Sequence, residues 1–444
     1  MTSSIQLSDK FNYKRLLRYT LPSIIMVVFT SLYSVVDGFF VSNFAGKIPF
    51  AAVNFIAPFL WILGSVGFMF GTGSGALIAK TMGEGQKEKA NQYFSLIIYL
   101  SIVVGVVLSV LGMIFIRPLA EVMGGEGELL DDSLIYGRII LLALPAYVLQ
   151  YEFQCLFSTA EKPKLGLFVT ALAGITNIVL DALFIVVFKW EIIGAAVATA
   201  IGQIVGGMYS IIYFAKDNSS PLRLVKCPFD FKAILKTCTN GSSELMSNVA
   251  MSLVSLIYNV QLLKYAGEDG LAAYGVLMYI SMIFQAIFFG YTMGVAPIIS
   301  YKYGEEKHDE VKDLLFKNIC LIASFSFGMF MLSTIFTKII SNIFVGYDKG
   351  LVEMTIHAFR IFNFSFLLCG FTIMISSFFT ALNDGLTSVI ISFLRALVFQ
   401  MLTIIILPLI WQLEGIWWAL VVSEALSLIA AFIILLVRRK RHNY

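Results

Sequence analysis

Phe44-Ala45-Gly46 returns later in the chain as Tyr265-Ala266-Gly267, and Phe157-Ser158-Thr159-Ala160 returns as Phe378-Phe379-Thr380-Ala381. Both repeats fall 221 residues apart. The same offset links Ala51-Ala52 with Ala272-Ala273, Gly83-Glu84 with Gly304-Glu305, and Trp190 and Gly194 with Trp411 and Gly415. Arg138-Ile139 and Arg360-Ile361 match at 222, which needs only a one-residue indel. Agreement this wide marks an internal duplication. In a membrane protein, self-similar halves point to a device that rocks one half against the other around a central site.

Composition identifies the solvent. With 59% hydrophobic and 13% charged residues and a mean hydropathy of +0.86, too few polar groups remain to cover a water-facing surface. Backbone groups in hydrocarbon must be satisfied within helices or closed barrels, and the apolar runs here far exceed a barrel strand of about 10 residues. The expectation is an all-α integral membrane fold. Twelve spanning helices are predicted at 16–41, 50–79, 93–116, 134–157, 165–188, 192–215, 235–263, 271–300, 314–336, 354–380, 386–410 and 416–437. Six per repeat is even, so both copies enter from the same side. The halves then form two pseudo-symmetric six-helix bundles related by an axis along the membrane normal. The expected division is an N-lobe at 1–215, a polar linker at 216–234 carrying Pro221 and Pro228, and a C-lobe at 235–444 ending in a basic tail.

Basic residues set the orientation. With the N-terminus inside, 22 Lys and Arg fall on cytoplasmic segments and 6 on outer loops. That bias places both termini in the cytoplasm of a cell whose inner (plasma) membrane holds the chain. The polar first fifteen residues and long helix 1 suggest no cleaved leader. The net charge of +3 reflects this topology and no nucleic-acid partner. Cys155, Cys227, Cys238, Cys320 and Cys369 lack metal-ligand spacing and read as free thiols, and His308, His357 and His442 are dispersed, which argues against an intramembrane enzyme. There is no phosphate-binding G-x-x-x-x-G-K-[ST] loop and hence no ATP engine; Gly71-Thr72-Gly73-Ser74-Gly75 reads as close helix packing. No cofactor is expected. A monomer suffices.

Uphill movement then needs an ion, H+ or Na+, and the groups that can couple to one are ionisable residues inside helices. These are Asp37, Glu152, Asp181, Glu244, Arg395 and Glu424; Arg138 and Arg360 lie near outer ends and snorkel. The excess of acids favours a cationic cargo. Asn177 and Asp181 share one face of helix 5, and Asp181 and Thr199 sit at matched depth, roughly 12 Å below the outer surface at the α-helical rise. With Asp37 in the same outer half, the four compose a candidate nest of oxygens for a proton or Na+. The alternative is helix glue with a permanently neutral aspartate. In the second half Glu244, Arg395 and Glu424 are candidates for cargo binding, gating or a structural ion pair. Glu152 is expected to reach the cytoplasmic interface. Pro22 predicts a kink in helix 1.

These residues resemble a known family. Ser34-Val35-Val36-Asp37-Gly38-Phe39-Phe40-Val41, Pro22, Asn177-x-x-x-Asp181 and Gly83-Glu84-Gly85 with its echo Gly304-Glu305 look like the multidrug and toxic compound extrusion (MATE) transporters. The resemblance implies drug/cation antiport. It carries the N-lobe cation site of the DinF-type branch onto Asp37, Asn177, Asp181 and Thr199, and the helix 7 glutamate of the NorM-type branch onto Glu244. Helix 10, read as 354–380, holds no acid, so the C-lobe site of the NorM type is incomplete and the N-lobe is the better candidate. The implied cargo is an amphipathic organic cation, for which Met26, Phe29, Phe153, Met251, Tyr258, Met278, Met282, Phe284 and Met293 are candidate cavity residues through cation–π and thioether contacts; helix packing is the competing account of each. A lipid-linked saccharide flippase is the alternative function, disfavoured by a single buried base, Arg395.

Overall fold

The computed structural model describes residues 5–442 and Tyr444, and among them the chain is helical without strands. The twelve spans are α1 (Tyr13–Phe40), α2 (Lys47–Gly83), α3 (Lys87–Val122), α4 (Gly127–Leu142 and Leu144–Thr159), α5 (Pro163–Asp181), α6 (Glu191–Ala215), α7 (231–266), α8 (268–304), α9 (His308–Val345), α10 (Lys349–Phe362, a short 3-10 turn at Asn363–Ser365, then Phe366–Ala381), α11 (Gly385–Phe393 and onward to 411) and α12 (413–442). Polar starts cap several of them. Asn12 accepts from the Arg15 N–H at 2.9 Å, and the Asp230 and Asp348 carboxylates each accept two first-turn N–H groups.

The duplication is visible in the backbone. Gly46 (φ 111°) ends α1 and Gly267 (φ 62°) separates α7 from α8, and they occupy equivalent repeat positions. Only glycine takes such angles without a Cβ penalty. Gly85 and Glu306, and Glu191 and Gln412, also pair at positive φ with the 221-residue offset, while Glu161 and Asn383 do so at 222. Each half therefore turns its chain at the same places.

Two predicted helices differ in detail. Helix 4 is not continuous at 134–157: it breaks at Ala143 with a bend of 61°, because Pro145 at the start of the second piece lacks the N–H that would continue the ladder. Helix 10 begins at Lys349 and so includes Glu353, but that side chain is exposed at the outer end. α1 runs unbroken across Pro22; its departure from α geometry is a π-turn at Val41–Ala45.

Contacts between the lobes gather at the end of the bundle where both described chain ends lie. Gly83 of α2 lies against the Tyr301 carbonyl and Gly304 of α8 against the Lys80 carbonyl, so the symmetry-related glycines cross each other. One level deeper, Gly73 meets the Thr237 carbonyl and Gly241 the Met69 carbonyl. Gly71 and Gly75 pack on α4, so the glycine-rich run serves close packing. An N-terminal strap ties this face together. The Leu7 N–H donates to Glu161 Oε1 at 2.7 Å, while Lys302 Nζ and Lys317 Nζ donate to the carbonyls of Ser8 and Phe11, each at 2.8 Å.

The tail returns to the same face. His442 Nε2 stands 3.0 Å from Asp384 Oδ2, and its Nδ1 stands 3.2 Å from the Tyr303 hydroxyl. Partial burial pushes the Asp384 carboxyl up, but hydrogen bonds from His442 and Thr387 outweigh it and hold the group below its ordinary value of 3.8. A lowered carboxylate stabilises the fold above the unfolded value and stops doing so as pH falls through the folded one. His442→Ala is therefore expected to lower stability by about 1.5–3 kcal/mol at neutral pH, the range for a hydrogen bond to a charged group. In thermal unfolding the deficit should shrink once pH drops below 3.8.

Candidate cation site and inter-lobe pocket

α1, α5 and α6 bring Asp37, Asn177, Asp181 and Thr199 together inside the N-lobe. Small residues make the approach possible: a Cβ at Gly174 of α5 would strike Phe29 and Tyr33, and one at Gly202 of α6 would lie 3.1 Å from the Asn177 Cβ. Asn177 Nδ2 donates to Thr199 Oγ1 at 3.3 Å. The Asp37 and Asp181 carboxyl groups face each other. Asp181 is 0% exposed. Both of its oxygens, with Asp37 Oδ1 and Asn177 Oδ1, are buried without a hydrogen-bond partner.

The electrostatics are simple. Two facing carboxylates repel strongly in a low-dielectric interior, so a proton or a cation must stand between them. Several oxygens stand unpartnered within a few side chains of each other, and they are the candidate donor set for that role. Both helices leave α geometry immediately beyond the acids, at Val41–Ala45 and Ala182–Val187. Such π-turns concentrate at functional sites because they re-aim side chains and bend easily.

Two neighbours lie outside the set that the sequence suggests. Tyr136 of α4 lies near Thr199 and both aspartates, and Tyr33 near Asp37 and Gln150. Tyr33 was accessible from spacing, one turn before Asp37 on the same helix face. Tyr136 carried no such signal, because only the fold brings α4 to this place. Gln203, one turn below Thr199, adds another unpartnered oxygen.

Glu152 does not reach the cytoplasmic interface. It is wholly buried with both oxygens unpartnered, facing the Ser101 hydroxyl. The bend at Ala143 and the close approach of Gly71 to its backbone turn it into the lobe. In the C-lobe, Arg395 and Glu424 form a bidentate pair: Nε lies 3.0 and 3.1 Å from the two carboxylate oxygens and Nη2 lies 2.9 Å from Oε1. Glu244 stays out of that pair. It opens instead on a pocket between the lobes of about 30 Å³, lined also by Thr72, Cys155, Thr159, Phe289 and Met293.

The candidate cargo residues divide. Met293 lines that pocket and packs with buried Met26. Phe29 packs beside Tyr33 and Gly174. Met251 and Met282 are exposed, and Met278 and Phe284 are half-buried against the C-lobe core. Phe153 does not face the cavity: it is buried in an aromatic stack with Phe94, Phe157 and Phe214, because its side of α4 points into the lobe. Tyr258 is likewise buried, stacked on Tyr274.

Comparison with known proteins decides the family. The MatE family model matches the chain twice, over residues 22–183 and 245–406. The chain belongs to the MatE family. Its members are transporters, and the double match reproduces the repeat seen in the sequence. Multidrug export protein MepA of Staphylococcus aureus (strain MRSA252) is 25% identical over 439 residues, covering 97% of this chain and 94% of MepA. A MATE crystal structure in complex with MaL6 superposes with a TM-score of 0.94 at 21% identity over the full length of both chains. A multidrug resistance MATE family transporter in its outward-facing conformation gives 0.93 at 22% identity, over 100% of this chain and 99% of that one. The MatE fold is thus shared throughout, two six-helix bundles included.

Proposed function

We propose that this protein is a secondary active multidrug efflux antiporter of the inner (plasma) membrane, exporting amphipathic organic cations in exchange for H+ or Na+ by alternating access. The observation that carries the reading is the pair of facing carboxyls, Asp37 and Asp181, among unpartnered oxygens, with no cationic side chain of the described residues beside them. Such a site calls for positive charge, and an ion entering it changes how α1 and α5 repel. The nest follows the DinF-type pattern, with Asp37, Asn177, Asp181 and Thr199 as coupling residues. Glu244, accessible between the lobes, is the anchor for cationic cargo. The relative's name, a multidrug export protein, agrees with this assignment. A lobe boundary at 216–234 and cytoplasmic termini fit the basic residues on the glycine-sealed face.

The pocket at Glu244, about 30 Å³, holds a water-sized group, whereas drug sites measure roughly 300–1,000 Å³. With the lobes joined at the cytoplasmic face, cargo must enter that pocket from the inside only after the seal parts. A saccharide flippase is not favoured, because Arg395, half-buried within the C-lobe helices, is already neutralised by Glu424. The deciding experiment is ethidium efflux from proteoliposomes under an imposed pH gradient or an imposed Na+ gradient. Efflux driven by one of them is expected; export that ignores both refutes antiport.

A further inference from the structure

Arg395 is a cation near a carboxylate, Glu244, that is read as binding cations. Glu424, 2% exposed on its side chain, holds it through Nε and Nη2. Nη1 makes no hydrogen bond among the described residues, and Glu244 lies beyond contact distance but within the field of the guanidinium. Both groups start from cytoplasmic helix ends, Glu244 in α7 and Arg395 in α11, at similar depth.

Two further features make the arginine a moving part. It is the second residue of a π-turn, Leu394–Phe399. Such a turn contains one extra residue, and sliding it by one position re-aims side chains by roughly 100°, the rotation per residue of an α-helix. The second feature is Tyr258. Its hydroxyl is buried, has no hydrogen-bond partner, and lies in the field of Glu424. A buried hydroxyl without a partner costs free energy, and here it is a donor waiting beside a carboxylate that a departing arginine would expose.

We propose that Arg395 is a built-in competitor of the cationic cargo: Glu424 retains it while cargo occupies Glu244, and after release it turns to Glu244 while Tyr258 donates to Glu424. This deepens the efflux reading and rests on it. The switch bars rebinding from the outside, since an arginine on Glu244 leaves no charge for a drug to meet.

The test is ethidium binding to the purified protein in nanodiscs, followed by fluorescence. Glu424→Gln frees the arginine and is expected to weaken binding at least about fivefold, the lower end of typical coupling between sites. Arg395→Gln in the Glu424→Gln background removes the competitor and should bind more tightly than wild type; neither buried charge is left alone in that double variant. Tyr258→Phe should also tighten binding, because the arginine then has no replacement at Glu424. A merely structural pair predicts unchanged or weaker binding in the last two, and that result in both overturns the switch. Wild-type protein that binds no ethidium overturns the cargo reading along with it, whereas wild-type binding that is lost in Glu244→Gln supports that reading even where the switch fails.

Discussion

Asp181→Asn is expected to cut gradient-driven efflux roughly 5- to 150-fold while leaving the protein at least as stable as the wild type. The activity half follows from charge. An asparagine neither takes up a proton nor offers a full negative charge to Na+, so the ion has no differential hold on either conformation and cannot bias them. A coupling energy of about 1–3 kcal/mol corresponds to a loss of roughly 5- to 150-fold in driven transport. The stability half follows from burial. Asp181 has two buried oxygens without partners and another carboxyl facing it, a costly arrangement that a neutral amide relieves. Asp37→Asn should lose the same coupling with a smaller gain in melting temperature, since Asp37 is only part-buried. Efflux in proteoliposomes and thermal unfolding in detergent measure the two halves. Wild-type efflux in both variants would show that the nest is helix glue.

The duplication was legible in the sequence because turns are local. Gly46 and Gly267, and Glu191 and Gln412, stand 221 residues apart along the chain and share positive φ in space. The helices were equally legible, since hydrophobic length decides them. Asn177 and Asp181 were found by spacing on one helix, and Thr199 by depth. What stayed hidden depended on contacts between helices. Tyr136 borders the nest through the packing of α4 on α6, which spacing within one helix does not show. Phe153 and Glu152 were misplaced for the same reason. Helix ends give depth, but azimuth is set by packing, and one residue of error in azimuth turns a side chain by roughly 100°.

Gly241→Ala and Gly83→Ala are expected to unseat the cytoplasmic seal. A Cβ on Gly241 would overlap the Met69 carbonyl oxygen, and one on Gly83 would overlap that of Tyr301. Backbone carbonyls of a packed helix cannot swing aside like a side chain, so α2 must move away from α7 or α8. Overpacking of this kind costs about 1–3 kcal/mol. Because the crossing joins the two lobes, that cost falls on the sealed arrangement and is relieved wherever the lobes part, whereas an equal clash inside a lobe would penalise every state alike. The population of the sealed form should then fall by roughly 5- to 150-fold relative to its alternatives. Spin labels at the exposed Lys89 and Asp309, in a variant without the five cysteines, report the separation of the cytoplasmic ends directly. Longer distances and slower efflux are expected in each variant, with Gly275→Ala as the control, since a Cβ there meets nothing within 4 Å. Unchanged distances with full efflux would mean that these glycines merely tolerate contact, and that the two halves separate somewhere other than at their symmetric crossing.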